Sequence, residues 1–292
     1  MIMMNRRDVL GLVATAGAGT AFLTAAAKAS DRTPPVRIID TNVSLFRWPF
    51  RRLPLDDAEV LVKKLRSLGI EQAWTGSFEG ILHRDIASVN ARLADACAQW
   101  PELVAIGSLN PELPGWEEDL RRCREIHRMP GIRLHPNYHG YTLDDPRFAE
   151  LLKQATVAGL FVQLAAAIED TRTQHSHLRM SDVDLAPLID VVRSVPGARV
   201  QILNYRPRGD TFERLARTTD VVFDTARVDA TDGVPKLVRS LSPGRVLLGT
   251  HAPFLIPEAA LIRVHESGQL DEGGLRAVYA GNAERFLKKG RA

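Results

Sequence analysis

Short apolar runs alternate with amphipathic helical segments eight times after Pro35. An apolar run too short for a helix, followed by a segment with helical periodicity, is typical of a buried strand in a parallel sheet. Eight such units fit a closed barrel better than an open sheet. The pattern predicts an α/β fold, a (β/α)8 TIM barrel, as a single domain over residues 36–292. The predicted strands are 36–40, 70–74, 103–108, 132–134, 160–164, 199–203, 221–223 and 245–248.

Residues 1–29 have the layout of an export signal. Arg6 and Arg7 precede a charge-free stretch from Val9 to Ala27, and Ala27-Lys28-Ala29 supplies small residues at a cleavage point. Paired arginines are typical of twin-arginine signals, so we expect the export machinery of that pathway as a partner and a periplasmic or extracellular location. A membrane anchor is the alternative, but the Gly, Ala and Thr content disfavours stable insertion. Residues 30–35 form a polar linker.

Charge argues against nucleic-acid binding, and cysteine content argues against a disulfide. The formal net charge is only +3, and the chain lacks a run of Lys and Arg, so it has no electrostatic footprint for nucleic acid. The two cysteines, Cys97 and Cys123, lie on predicted helices, and buried free thiols are favoured over a disulfide in a chain folded before export.

Polar side chains follow most of the predicted strands. In a barrel the active site lies at the carboxyl ends of the strands, so these side chains are expected to converge on a polar pocket. His135 ends the fourth strand and opens a loop, and His251 follows the eighth strand. Trp48 and Phe50 are interpreted as packing under the barrel mouth. The expected substrate-binding residues are Asn42, Ser44, Arg51, Arg133, Tyr138, His139, Arg172 and Asn204.

Four motifs in order along the chain resemble the amidohydrolase-2 family. They are Ile39-Asp40-Thr41, Gly131-Ile132-Arg133-Leu134-His135-Pro136, Gly249-Thr250-His251-Ala252-Pro253-Phe254 and Tyr279-Ala280-Gly281-Asn282-Ala283-Glu284-Arg285. That family contains metal-dependent TIM-barrel hydrolases and decarboxylases, including aminocarboxymuconate-semialdehyde decarboxylase. The resemblance therefore implies a barrel with its site at the strand ends.

The positions at which this family holds its divalent metal have changed residue type. The resemblance places the His-x-His motif at Asn42-Val43-Ser44 and the strand-five histidine at Ala165. It places the strand-six histidine at Asn204 and the strand-eight aspartate at His251. Neutral amides, a hydroxyl and a methyl group cannot replace anionic or imidazole ligands. We therefore expect no metal at the inherited site and no cofactor. A relocated site using His135, His139 and His251 is the alternative.

The leading functional prediction is an exported, metal-independent hydrolase. Within the resembled family, 2-pyrone-4,6-dicarboxylate lactonase works without a metal, and by that analogy His251 is the general base and His135 the acid or oxyanion partner. Arg51, Arg133 and Arg172 are expected to hold an anionic substrate, with a lactone or another C–O or C–N bond as target. The alternative is a catalytically inactive binding protein with the same fold. A metallohydrolase with a relocated metal is the third hypothesis.

Overall fold

Eight parallel strand positions form the wall of a barrel in the computed structural model, which describes residues 36–289. The third position is interrupted at Ile106, so nine strands are defined. They pair in the orders β1-β2-β3 and β4-β5-β6-β7-β8-β9, all in parallel. The strands are β1 (Ile38–Leu45), β2 (Ile70–Ser77), β3 (Leu103–Ala105), β4 (Gly107–Ser108), β5 (Gly131–Leu134), β6 (Phe161–Ala165), β7 (Val200–Leu203), β8 (Val222–Asp224) and β9 (Val246–Leu247).

Backbone hydrogen bonds close the ring between its first and last strands. The Thr41 amide donates to the Leu248 carbonyl at 2.8 Å, and the His251 amide donates to the Asn42 carbonyl at 2.8 Å. The amide of Ile106 donates to the Thr75 carbonyl at 2.8 Å, which carries the wall across the interruption between β3 and β4. The predicted (β/α)8 barrel is therefore confirmed.

Helices follow most of the strands and pack around the wall. Asp57 and Asp145 cap two of them, each accepting a hydrogen bond from a backbone amide in the first turn. The helices are α1 (Ala58–Ser67), α2 (Glu79–Leu82), α3 (Ile86–Ala98), α4 (Trp116–Glu125), α5 (Pro136–His139), α6 (Pro146–Val157), α7 (Leu188–Ser194), α8 (Gly209–Thr218), α9 (Gly233–Ser240), α10 (Pro257–His265), α11 (Glu272–Arg276) and α12 (Asn282–Lys288), with a π-helical turn at Ala277–Gly281 between the last two.

The segment after β5 differs from the loop expected there. Pro136 begins the short helix α5, and Gly140 ends it with a φ of 81°, a conformation that glycine adopts without a side-chain penalty. This turn brings His139 back beneath His135, and the two ring centroids lie 6.0 Å apart. A local helix thus sets the positions of both imidazoles.

The barrel interior is unusually polar. Gln163 of β6 donates to the Thr41 carbonyl at 2.7 Å and to Oε1 of Gln201 at 2.9 Å. Gln201 donates to Thr41 Oγ1 at 2.7 Å, and Arg133 Nε donates to Gln163 Oε1 at 2.8 Å. Barrel interiors are usually filled by branched apolar side chains. Here hydrogen-bonded amides and a guanidinium fill the same space.

Two sequence predictions concern residues outside the described range. The export signal at residues 1–29 and the whole of the linker at residues 30–35 precede the first described residue, Val36. Across residues 36–289, no helix combines the length and the apolar character needed to cross a membrane.

Candidate functional site

Asn42, Asn204 and Asp224 form a hydrogen-bonded group at the carboxyl ends of three strands, called here the amide cluster. Asn42 Nδ2 donates to Asn204 Oδ1 at 2.8 Å and to Asp224 Oδ2 at 2.6 Å. The backbone amide of Asn204 donates to Asp224 Oδ1 at 3.0 Å. All three residues are buried. The strand ends are therefore joined directly through side chains.

Backbone geometry makes room for the amide cluster. Asn204 adopts a φ of 58°, a region that asparagine tolerates better than most residues, and its Nδ2 donates to the Ala167 carbonyl at 2.8 Å. A Cβ atom on Gly249 would lie 2.8 Å from Asp224 Cβ and 3.1 Å from Asn42 Cβ. The absence of a side chain at Gly249 therefore allows Asn42 to reach Asp224.

Burial shifts the pKa of the carboxylates at these strand ends. Loss of solvation raises the pKa of Asp224 to about 6, although hydrogen bonds from Asn42 and from backbone amides lower it. Burial likewise raises the pKa of Asp40 to about 6. Asp40 accepts hydrogen bonds from the amide and the hydroxyl of Thr250 at 3.0 and 2.5 Å, so it fastens β1 to the segment after β9.

His251 lies beside the amide cluster with its ring turned toward a backbone carbonyl. Its Nε2 is 2.8 Å from the Ile168 carbonyl oxygen, and because a carbonyl only accepts, Nε2 carries the proton. The ring stacks on Phe254 with centroids 5.1 Å apart. Burial lowers the pKa of His251 to about 3, with a smaller opposite effect of the Ile168 hydrogen bond. The imidazole is therefore neutral at physiological pH.

His135 and His139 form a pair of neighbouring imidazoles, of which His135 is buried and His139 half-buried. His135 is 2% exposed, and its Nδ1 has no partner within the described residues. Burial holds the pKa of His135 well below its ordinary value. His139, Arg133 and His251 contribute in the same direction. His139 Nε2 lies 3.0 Å from the Gly80 carbonyl oxygen, and burial lowers its pKa to about 4. Both rings are accordingly neutral.

Five aromatic rings close over the strand ends, and we call them the aromatic cover. Trp48, which is 2% exposed, is the centre, with its ring centroid 5.3 to 6.2 Å from those of four neighbours. These contacts support the interpretation of Trp48 and Phe50 as packing residues. Phe254 of the cover stacks on the His251 ring, so the cover lies against this imidazole. The other four rings are Phe50, Phe78, Tyr138 and Phe254.

The three arginines expected to hold substrate lie in three different environments. Arg133 is inside the barrel, where its guanidinium donates to Gln163, to the carbonyls of Val43 and Trp74, and to Ser44 Oγ at 3.2 Å. Arg133 and Ser44 therefore bind each other and the wall, whereas they were expected to contact substrate. A Cβ on Gly76 would lie 2.7 Å from Arg133 Nη1, so glycine there accommodates the guanidinium.

The other two arginines lie outside the amide cluster. The Arg172 side chain is 86% exposed and pairs with Asp170 of its own loop, so the structure does not bring it to the strand ends. Arg51 Nη1 lies 2.5 Å from Oε1 of Glu169, a carboxylate whose side chain is 3% exposed. Its guanidinium also lies over the Phe254 ring, 5.3 Å from the centroid. Arg51 thus fastens the aromatic cover.

Two residues of the mouth were not among the expected catalytic and substrate-binding residues. Glu169 follows β6 by four residues, and Arg227 follows β8 by three. Arg227 is 5% exposed, and its Nη2 donates to the Ile168 carbonyl at 2.9 Å, the same oxygen that His251 contacts. Position after a strand was a usable signal for both residues. Their burial was not visible in the sequence.

The Amidohydrolase family model, amidohydrolase-2, matches residues 49–289. The chain belongs to the amidohydrolase-2 family. A search of curated proteins finds no match.

Solved structures of amidohydrolase-2 barrels share the fold at low sequence identity. The 5-carboxyvanillate decarboxylase LigW from Sphingomonas paucimobilis is 13% identical with a TM-score of 0.68, and the match covers 87% of this chain and 99% of that one. The 2,6-dihydroxybenzoate decarboxylase from Rhizobium is 14% identical with a TM-score of 0.67, covering 86% and 98%. A dihydroxybenzoic acid decarboxylase from Polaromonas, with bound manganese and an inhibitor, is 14% identical with a TM-score of 0.67, covering 88% and 98%. These likenesses establish the fold.

The residues of this amidohydrolase-2 chain do not fit the metal that the family resemblance implies. At the inherited positions, Asn42 and Asn204 are neutral amides bonded to each other, and Ser44 is bonded to Arg133. Asp224 is the one carboxylate of the amide cluster, and Asn42 and a backbone amide already occupy its oxygens. A divalent ion needs three or four imidazole or anionic donors. Within residues 36–289, no group of three His, Cys, Asp or Glu side chains is arranged to hold a metal.

Proposed function

We propose that this chain is a metal-independent member of the amidohydrolase-2 family that binds a small polar or anionic molecule and has lost metal-dependent catalysis. The observation that carries the proposal is the position of the Asn42 amide, which bonds Asn204 and Asp224 at 2.8 and 2.6 Å. A cation placed among these atoms would have to break both hydrogen bonds and would gain one carboxylate and two neutral amides in return, fewer anionic ligands than a divalent ion needs.

The state of His251 supports binding over hydrolysis. A general base works best when its pKa lies near the operating pH, and burial lowers the pKa of this imidazole to about 3. Its Nε2 donates to the Ile168 carbonyl, and the aromatic cover separates the ring from bulk water. Activation of water by His251 therefore requires both a displaced cover and a more basic ring.

A metal-independent hydrolase is the second candidate, because Asp224 has the properties of a general base. Its pKa of about 6 lies near neutrality, and it is the carboxylate at the centre of the strand ends. His135 Nδ1, which has no partner within the described residues, could then accept or donate a hydrogen bond at the reacting group. In this scheme Asp224 takes the proton of a water molecule that attacks a lactone or another C–O or C–N bond.

Metal content and turnover test the proposal together. The chain is produced with manganese and zinc in the medium, purified without chelator, and analysed for metal by mass spectrometry. Turnover of a panel of lactones, amides and aromatic carboxylates is then measured with and without added manganese. We expect a metal content far below one ion per chain and no turnover above the buffer rate.

Three variants decide between the candidates. Turnover that is lost in Asp224→Asn, and retained in the exposed-loop control His177→Asn, would establish the hydrolase. Turnover lost in His251→Asn would restore the expected role of His251 as base. Stoichiometric metal together with manganese-dependent turnover would overturn both metal-independent schemes.

We further propose that the protein acts in the periplasm or outside the cell, after export by the twin-arginine machinery. The paired Arg6 and Arg7 before the apolar stretch support this location. Fractionation of cells that express the full chain tests it. Replacement of both arginines by lysine is expected to leave the protein in the cytoplasm, and unchanged export of that variant would contradict the proposed route.

A further inference from the structure

A groove of about 520 Å³ lies beside the barrel mouth, between the loop after β7, helices α8 and α9, and the segment after β8. Four cationic side chains line it, namely Arg206, Arg208, Arg227 and Lys236, and we call it the arginine groove. Its volume is in the range of sites that hold small organic molecules. The arginine groove is separate from the amide cluster, whose residues do not line it.

Arg227, which lines this groove, has hydrogen-bond donors without partners. The residue is 5% exposed, and its Nη2 donates to the Ile168 carbonyl at 2.9 Å. Its Nε and Nη1 have no partner within the described residues. A buried donor without an acceptor is destabilising, and the cost is larger for a charged group. Such a group therefore favours an acceptor that comes from outside the chain.

The charges around Arg227 leave a cationic excess. Arg206 Nη2 lies 2.9 Å from Asp170 Oδ2, and Asp170 is also paired with Arg172. Asp229, the carboxylate among the groove residues, is paired with Arg263 on α10. Asp170 and Asp229 are thus also paired with arginines that do not line the groove. The four lining cations therefore outnumber the one lining carboxylate. An anion is the complementary ligand.

Apolar side chains complete the lining. Phe212 of α8, Leu237 of α9 and Val228 lie along the groove beside the cations. Inorganic anions such as phosphate would use the guanidinium groups and leave this surface in contact with water. An organic anion with a carboxylate head and an apolar body would use both, because burial of CH₂ groups against apolar side chains is favourable.

We propose that the arginine groove binds a small organic carboxylate, with its head on Arg227 and Arg206 and its apolar body against Phe212 and Leu237. This inference rests on the proposed function, because it gives a ligand site to a protein whose metal site has been lost. The Ile168 carbonyl accepts from both Arg227 and His251, so a carboxylate that moves Arg227 also alters the hydrogen bonding of His251.

Isothermal titration of the purified chain with hexanoate tests the proposal. Inorganic phosphate provides the anion without the apolar body, and 1-hexanol provides the body without the charge, all at matched ionic strength. We expect saturable binding of hexanoate and weaker binding of the other two. Arg227→Lys keeps the charge but loses the guanidinium donors, and it is expected to weaken hexanoate binding by ~10-fold or more, as for a buried charge-assisted hydrogen bond.

A matched pair on helix α9 provides the control. Lys236 lines the groove, whereas Arg239 lies on the same helix, is exposed and is not part of the lining. Lys236→Met is expected to weaken binding by about 2- to 5-fold, as for an exposed ion pair, and Arg239→Met is expected to leave it unchanged. Both variants alter exposed residues and therefore keep the test open even when Arg227→Lys fails to fold.

Specific outcomes overturn the inference. They are absence of saturable hexanoate binding, equal weakening by Lys236→Met and Arg239→Met, or phosphate binding as tight as hexanoate binding. Failure of the proposed function has a different signature, because stoichiometric metal and manganese-dependent turnover would appear whether or not hexanoate binds. The two conclusions are therefore tested independently.

Discussion

The neutral state of buried His251 makes a quantitative prediction about stability and pH. Burial lowers the pKa of this imidazole from 6.5 to about 3 in the folded chain, whereas the unfolded chain keeps the ordinary value. Below pH 6.5 the unfolded state binds a proton that the folded state does not, so the contribution to stability is lost as the pH falls from 6.5 to about 3. At about 1.4 kcal/mol per pH unit, the loss at pH 5 is about 2 kcal/mol.

Other buried groups add to or oppose this effect. His139, with a pKa of about 4, and His135 act in the same direction as His251. The raised pKa values of Asp40 and Asp224, both about 6, act in the opposite direction, because those carboxyls take up protons in the folded state first. The pH dependence of the wild type is therefore a sum of opposing contributions, from which a single substitution can separate that of His251.

The substitution His251→Asn isolates the contribution of one ring. Asparagine tolerates the φ of 58° at this position and does not titrate, and its shorter side chain gives up the hydrogen bond of Nε2 to the Ile168 carbonyl. We expect the variant to be less stable than the wild type at pH 7.5 and to recover about 2 kcal/mol of that difference at pH 5. Urea unfolding at the two pH values measures this change, and NMR titration of the imidazole Cε1 protons follows the ring directly.

His177→Asn, in an exposed loop, serves as the control for loss of an imidazole without burial. It is expected to retain the wild-type difference in stability between pH 7.5 and pH 5. The reasoning is refuted when His251→Asn shows the full pH dependence of the wild type, or when the His251 resonance titrates near pH 6.5. Either result would mean that the ring is solvated or paired with an anion, and its role as a general base would regain support.

Three further substitutions test the packing of the strand ends, each measured by urea unfolding. Asn42→Leu removes the donor to Asn204 and Asp224, and we expect a loss of about 2 to 4 kcal/mol because a buried carboxylate loses a partner. Arg133→Met leaves Gln163 and two carbonyls unsatisfied inside the barrel, with an expected loss of about 3 to 5 kcal/mol. Gly249→Ala places a Cβ 2.8 Å from Asp224 Cβ, and overpacking of this kind costs about 1 to 3 kcal/mol.

Matched controls accompany these variants. Asn137 donates to the Ser181 carbonyl near the surface, so Asn137→Leu is expected to cost less than about 1 kcal/mol. Gly273 lies on helix α11, where the nearest atom to an added Cβ is at 3.5 Å, and Gly273→Ala is expected to be neutral or stabilising. An Arg133→Met variant that is as stable as the wild type but defective in ligand binding would return Arg133 to the expected role of substrate contact.

The barrel itself could be predicted from local patterns. A buried strand and an amphipathic helix each leave a periodic signal, and eight repeats of the pair admit few arrangements. Which residues of a helix face the core was harder to predict from the sequence. Val60 of α1 is apolar and yet 46% exposed, whereas Leu61, Val62 and Leu65 form the inner face of that helix. The register of a helix depends on how it docks, which neighbouring residues alone do not specify.

At the strand ends, the chemical type of each side chain could be read from the sequence, whereas its hydrogen-bond partners could not. Residue type at Asn42, Ala165 and Asn204 was enough to predict that a divalent cation has no ligand set there, since ligand chemistry is a property of single residues. The partners of those residues were not predictable, because Asn42 and Asn204 are 162 positions apart and His251 and Ile168 are 83 apart. Such contacts exist only after the ring has closed.

The amino-acid sequence by itself determined an amidohydrolase-like barrel and the chemical character of its strand ends. Periodicity and residue type depend only on residues that are close together in the chain. Only the tertiary structure decided that Arg133 fills the barrel, that Arg172 faces solvent and that aromatic rings cover His251. Those outcomes depend on the direction of each side chain and on residues distant in the chain. The same long-range packing places Arg227, whose Nε and Nη1 have no partner within the described residues, in the lining of the arginine groove.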